Sequence, residues 1–326
     1  MSEMTAPSRP RVLVIMATYN GERYLREQID SVLSQDEVDL SLLISDDCSS
    51  DGTLDIAREY EAIDKRVGVV SHEHNVGVGL NFMKPLYDAD IEKLDYIAFS
   101  DQDDVWLPGK LIRAVNKIRS VEQSGVCVCH EDLGAPVLYC SDLQDVDAGL
   151  ANPKRELVNL GIDSSKKATA LMRNYYSGCT MVMNASMVRL LQEYPLAEFP
   201  RIHDAWCALV AQFCGNFYID FESALILRRI TGSNEVGEIH CGSDMENASV
   251  ARIFKPSNSA CTTCSRLLLE GYRQRMTNQN AATVGSFVSY RTSLKGRLAW
   301  ALRSDYRASG FRDTFLMRVK LLFGRY

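Results

Sequence analysis

The sequence lacks several features that would have fixed its class at once. No uninterrupted apolar run approaches the ~20 residues that a bilayer-spanning helix needs. The segment Met1 to Arg11 holds Glu3, Pro7 and Pro10 where a signal peptide would have its apolar core. A cytoplasmic protein is expected. The ten cysteines are scattered, several of them inside apolar runs such as Val126-Cys127-Val128-Cys129, where they read as small buried hydrophobes. Cys261 and Cys264 form a Cys-x-x-Cys, but no second pair stands at zinc-site spacing, and a disulfide-stapled miniprotein is excluded. Glycine is missing where nucleotide loops need it. Neither Gly-x-Gly-x-x-Gly after the first apolar run nor Gly-x4-Gly-Lys-Ser/Thr occurs, which removes Rossmann dehydrogenases and P-loop ATPases.

What is present is an ordinary globular composition: 326 residues, 46% hydrophobic and 24% charged, with a mean hydropathy of −0.14. The length allows one large or two modest domains. Charge is unevenly spread. Residues 291 to 326 carry nine Lys/Arg against two acids, a balance of +7, so a net charge of −6 leaves −13 for the rest. No nucleic-acid binder is expected from an acidic body with one basic tail, which suits a local contact with an anionic surface.

Hydrophobic periodicity predicts strand and helix in alternation over the first 120 residues. Strands are expected at Val12 to Met16, Leu40 to Ser45, Val67 to Ser71 and Tyr96 to Phe99. Helices are expected at Glu22 to Leu33, Thr53 to Tyr60, Leu80 to Tyr87 and after Pro108. Such repetition means a parallel sheet covered on both faces, with ligands beyond the carboxyl ends of its strands. Further on, strands are expected at Val137 to Cys140, Asn216 to Ile219 and Ala224 to Leu227, with helices at Ala185 to Gln192 and Asp204 to Phe213. Between them lie a polar stretch from Asp142 to Lys167 and an apolar run from Gly178 to Met183. Residues 232 to 262 read as linker, and the rest as helices.

Three polar clusters end the early strands: Ala17-Thr18-Tyr19-Asn20-Gly21, Asp46-Asp47-Cys48-Ser49-Ser50-Asp51-Gly52-Thr53 and Ser100-Asp101-Gln102-Asp103-Asp104. Crowded carboxylates repel one another, and a divalent cation, Mn2+ or Mg2+, would give them a reason to gather. These motifs, in this order, resemble family 2 glycosyltransferases of the GT-A fold over about residues 11 to 237. Downstream, Tyr176-Ser177-Gly178-Cys179-Thr180-Met181, His203-Asp204-Ala205-Trp206 and Leu227 to Asn234 resemble the rhamnosyltransferase-like branch that builds bacterial surface polysaccharides.

The resemblance implies an α/β GT-A catalytic domain over 1–237, with a nucleotide-binding half at about 11–125 and an acceptor half at 126–237. Residues 238–326 would then form a linker and a basic amphipathic helical region. It further implies roles. Thr18, Tyr19 and Asn20 would surround the base of a UDP- or dTDP-linked sugar, and Asp47 of the Asp46-Asp47 pair would accept from the base. Asp101 would lie near the ribose, Asp103 and Asp101 would ligate the cation, and Asp104, Trp106 and Gly178 would face the acceptor. Asp204 would be the catalytic base of an inverting transfer, unless it only caps its helix. Thr231 stands where relatives carry histidine, and Arg228 or Arg229 could meet phosphate in its place. The acceptor would be a glycan, lipid-linked, with the basic helices either resting on the anionic inner membrane leaflet or capping the core. A nucleotidyltransferase or a non-catalytic nucleotide- or carbohydrate-binding module are the rival readings.

Overall fold

The computed structural model describes residues 8–160, 162–163, 165–230 and 260–326. At its centre β1 (Arg11–Thr18) pairs in parallel with β2 (Asp39–Asp46) and with β4 (Tyr96–Ser100), and β2 pairs in parallel with β3 (Val67–Ser71). Val12, Val14 and Met16 of β1 enter one apolar layer, while Ile15 and Ala17 enter the other. A strand covered on both faces must be apolar along its length, which is why no alternation marks it. The first layer is closed by α1 (Leu25–Leu33), α2 (Thr53–Ile63) and α4 (Lys110–Gln123), and the second by α3 (Val78–Asp88).

The sheet continues through β9 (Val182–Asn184), β6 (Val137–Ser141) and β10 (Asn216–Asp220), giving the order β10-β6-β9-β4-β1-β2-β3. β9 runs antiparallel to both β4 and β6. The expected single apolar run at Gly178 to Met183 is broken by a 3-10 turn, Gly178–Thr180, which feeds this reversed strand. The polar stretch after Asp142 is not a plain loop. It supplies β7 (Gln144–Val146) and β8 (Lys154–Arg155), which join β5 (Val105–Trp106) and β11 (Ile226–Arg229) in a second sheet, β5-β11-β7-β8. Pairing of Ile226 with Trp106 and of Arg229 with Val146 sets β11 two residues later than apolarity alone suggests.

The helices α6 (Ala185–Gln192) and α7 (His203–Cys214) cover the second layer, after the short α5 (Leu157–Leu160). Four C-terminal helices extend the same core: α8 (Ala260–Tyr272), α9 (Asn278–Ser289), α10 (Leu294–Ala301) and α11 (Phe311–Leu322). Leu268, Tyr272, Phe287, Trp300, Met317 and Leu321 are buried in one cluster with α3 and α7. The approach of α8 is close enough that a Cβ on Gly271 would lie 2.4 Å from Tyr194 Cγ. On the outer face Leu294, Leu302, Phe311, Phe315 and Phe323 remain exposed. No helix among the described residues is long and apolar enough to cross a membrane. Residues 232–259 of the expected linker, the 237/238 boundary and Thr231 lie outside the described residues, while Ala260, Cys261 and Thr262 belong to α8 and not to a linker, because Ala260, Thr262 and Cys264 are buried along that helix.

Candidate active site

Parallel strands β1, β2 and β4 deliver their C-terminal loops to one rim, and side chains zip those loops together. Gln102 clamps Tyr19 by accepting from its N–H at 2.9 Å and donating to its carbonyl at 3.0 Å, as a neighbouring strand would. Gly21 makes room for the clamp, since a Cβ there would sit 2.1 Å from Gln102 Oε1. Asn20, at φ 48, donates its N–H to Ser49 Oγ and accepts from Ser50 N–H. Gly21 N–H donates to Thr53 Oγ1, and Gly52 N–H donates to Glu22 at 2.7 Å. Glu22 thus meets the first turn of α2 rather than that of α1, where a carboxylate also suits the helix dipole. Thr18 is buried and bonds Asp46, so of the three residues expected around a base only Tyr19 and Asn20 reach the surface.

Asp47 is buried and accepts from Val76 N–H at 2.6 Å and Gly77 N–H at 2.9 Å. Its carboxylate orders the start of α3, a task the sequence did not suggest. Asp46 is likewise engaged by Thr18 and Ser49.

The acidic turn after β4 is the electrostatic focus. Burial raises the Asp101 carboxyl above its usual range against the pull of Arg228, and burial, with Asp101 alongside, pushes Asp103 up to about 6. Asp104 is fully buried, neither of its oxygens has a hydrogen-bond partner, and burial drives it well above the carboxylate range. Asp104 and Trp106 were expected on the acceptor side. Both are buried instead, Trp106 beneath the Lys110 ammonium, which lies 3.4 Å from its ring centroid. The reason is the antiparallel pairing of Trp106 with Ile226, which turns this segment into the fold. Burial also brings Lys110 down to about 7.

Asp101, Asp104 and Cys179 each offer a ligand atom, and these atoms lie within 4.8 Å of one another. Asp103 is not one of that group. A divalent cation fits: an unpartnered buried carboxylate beside a second carboxylate is a costly arrangement that a cation would relieve. Sequence reasoning missed Cys179 by reading it as a small apolar residue, and misplaced Asp104, although the triple acid of Asp-x-Asp-Asp was its signal.

Arg228 and Arg229 are neither surface charges nor free for phosphate. Arg228 binds Asp145 at 2.7 Å, Glu156 at 3.0 Å and Ser177 Oγ at 3.0 Å. Arg229 is buried, pairs with Glu27, lies over the Tyr24 ring and donates to the Asp103 carbonyl at 2.9 Å. It therefore fixes the backbone of the acidic turn.

Asp204 reaches the same place from the other half. It is the second residue of α7, with Ile202 at the N-cap position, so the alternative of a capping Asp does not apply. It is buried, accepts from Asn174 Nδ2 at 3.0 Å and from Ala205 N–H, and burial pushes its carboxyl up to about 7, with the charge of Asp101 adding to the rise. Gly178 is buried beside it: a Cβ there would meet His203 Nε2 at 2.8 Å and Asp204 Cβ at 3.6 Å. His203 is stacked on Phe82 at 4.3 Å, and burial holds it down to about 3, so it is neutral.

Residues 13–135 match the family model described as glycosyl transferase family 2. A dTDP-rhamnosyl transferase, RfbG of Shigella flexneri, is 42% identical over 103 residues, covering 31% of this chain and 36% of that one. TuaG of Bacillus subtilis, named as a teichuronic acid biosynthesis glycosyltransferase, is 42% identical over 32% of this chain and 40% of its own length. The matches thus span two fifths or less of these relatives. TarS residues 1–349 of S. aureus, solved with UDP, superposes with a TM-score of 0.56 at 15% identity, covering 96% of this chain and 90% of that one. The mannosyltransferase PcManGT of Pyrobaculum calidifontis, solved with GDP-Man and Mn2+, gives a TM-score of 0.50 at 18% identity over 97% and 86% of the two chains. At those identities the likeness shows the fold, which is GT-A. With three clustered loops on one sheet rim and this match, the chain carries a glycosyl transferase family 2 domain at residues 13–135.

Proposed function

We propose that the protein is an inverting glycosyltransferase, moving one sugar from a UDP- or dTDP-linked donor to a growing, lipid-linked surface polysaccharide. The observation that carries the reading is that Asp101, which shares the acidic turn of one half of the fold with Asp103 and Asp104, lies close enough to Asp204 of the other half for its charge to raise the Asp204 carboxyl. Rhamnose is the donor sugar we favour, because RfbG is named a dTDP-rhamnosyl transferase and is 42% identical to this chain over 103 residues.

In this reading Tyr19 and Asn20 contact the nucleoside. Asp101 and Asp104, with Asp103 beside them in the same turn, would hold a cation such as Mn2+ or Mg2+, which would supply neutralisation of charge on the departing diphosphate. Asp204 accepts the proton of the acceptor hydroxyl as that oxygen bonds the anomeric carbon and the bond to the diphosphate oxygen breaks. A base raised to about 7 is matched to work near neutrality. The buried walls around it keep water from competing for the donor. The test is transfer to a lipid-linked glycan from a panel of UDP- and dTDP-sugars, with donor hydrolysis as control. Donor binding without transfer or hydrolysis at any metal concentration would favour a binding module instead.

We extend the reading to membrane contact through α10 and α11. Exposed Phe311 and Phe315 stand among Arg307, Arg312 and Arg318, a pairing of apolar and cationic groups suited to an anionic leaflet. The inner faces of these helices serve the core, so only the outer residues are available for it.

A further inference from the structure

We infer that Cys179 is itself a ligand of the divalent cation, forming with Asp101 and Asp104 a site of mixed oxygen and sulfur donors. The inference rests on the transferase reading only for the presence of a cation. Its geometry is independent of that reading. The three ligand atoms lie within 4.8 Å of one another. Three donors at roughly 2.0–2.3 Å from one ion stand at most about 4.0 Å apart pairwise, so closure draws the cluster together by up to about an ångström. Asp104 has its side chain wholly buried here, and the Cys179 thiol is the group that faces both its carboxyl and that of Asp101.

The sulfur is held there by rigid structure. Cys179 sits in the 3-10 turn Gly178–Thr180, tied to β4 by the bond from Phe99 N–H to the Met181 carbonyl. Cys179 is fully buried in one cluster with Ala98 and Val182. The cations near the cluster do not take the role. Arg228 is spent on Asp145 and Glu156, and Lys110 lies over Trp106 with no hydrogen-bond partner for its ammonium. Binding would release the thiol proton to solvent as the thiolate joins the ion. A sulfur donor changes which ion is preferred: thiolate favours Co2+, Cd2+ and Zn2+ over Mg2+, which demands an oxygen shell.

The test uses the full chain in which Cys127 and Cys129, whose sulfurs are 3.3 Å apart, are replaced as C127S and C129S so that they cannot form a site of their own. Cobalt(II) is titrated and the near-ultraviolet thiolate-to-cobalt charge-transfer absorption is read, alongside thermal shifts with Cd2+ and Mg2+. The expected result is a band saturating at one equivalent, lost in Cys179→Ser and weakened at least tenfold in affinity in Asp104→Asn. Cys179→Ser should also cut the preference for Cd2+ over Mg2+ at least tenfold. A parent protein that binds Co2+ without the band, or a band that survives Cys179→Ser, overturns the inference whether or not a variant folds poorly. Sugar transfer without the band would leave the transferase reading standing. A band at Cys179 without transfer would sink that reading and keep this site.

Discussion

Asp204→Asn should make the protein more stable and less active, and the gain should depend on pH. In the fold this carboxyl is raised to about 7 by burial, against 3.8 for the free group. The sign follows from proton binding: between those values the folded state holds a proton that the unfolded state has lost, so stability falls as pH rises from about 4 to 7. Above pH 7 the penalty is complete, about 4 kcal/mol at the ~1.4 kcal/mol that each tenfold of proton affinity is worth. Asparagine keeps an oxygen for Asn174 Nδ2 and Ala205 N–H but carries no charge, and its new N–H2 needs an acceptor, which offsets about 1–2 kcal/mol. The net expectation, in chelator, is a gain of roughly 2 kcal/mol at pH 8 that shrinks towards zero or below by pH 4. Denaturant unfolding of both proteins at pH 4.5, 6 and 8 measures it. Transfer at pH 8 should drop by roughly 10²-fold with donor binding retained, the scale of a lost general base. A stability difference that is flat from pH 4.5 to 8 would refute the buried-charge argument. Transfer within a factor of about three of the parent would remove Asp204 from catalysis.

Asp103→Ala should abolish the metal-dependent part of UDP or dTDP binding, read by calorimetry with and without Mn2+, while the melting temperature holds or rises because a carboxyl raised by burial is removed. Gly21→Ala should dislodge Gln102 and cost the two bonds that hold Tyr19, weakening donor binding about thirtyfold at ~1 kcal/mol per bond. Unchanged affinity would show that Tyr19 does not touch the nucleoside. Phe311→Ser with Phe315→Ser, both at exposed positions, should leave donor binding intact and reduce partitioning onto anionic vesicles more than tenfold at low salt, given ~1.5–3 kcal/mol for each buried Phe. Equal partitioning would reject the membrane face.

The repeating half of the fold was legible because its signals are local. Apolar runs of β1 to β4 and the helical faces between them are fixed by what each segment must bury, and Val67–Ser71 and Ala185–Gln192 fall where periodicity puts them. The rest depends on long-range pairing. β9 is reversed because it fills a slot between β4 and β6, and β7, β8 and β11 are strands because they pair with one another and with β5. None of these has a period of its own. Asp101, Asp103, Asp204, Gly178 and Tyr19 were identifiable as residue types in a pattern, but direction was not. Nothing local says that Asp104 turns inward, that Asp47 bonds Val76 and Gly77, or that Cys179 comes within reach of two carboxylates from a segment 75 residues downstream of Asp104.

The same residues also show why turn chemistry and site chemistry were hard to separate in the sequence. Ser49, Asp51, Thr53 and Glu22 look like ordinary turn and cap residues, and their bonds are of that kind. Yet those bonds run between the loops after β1 and β2, so a cap for one loop is a strut for the other. Held in this way, Tyr19 can be exposed without being loose, because its backbone is clamped on both sides by Gln102. Precision at the rim then comes from polar residues that never touch a ligand, while the acids that would touch one are buried and cost stability. The strongly covered core of β1, β2 and β4 is what allows the fold to carry that cost.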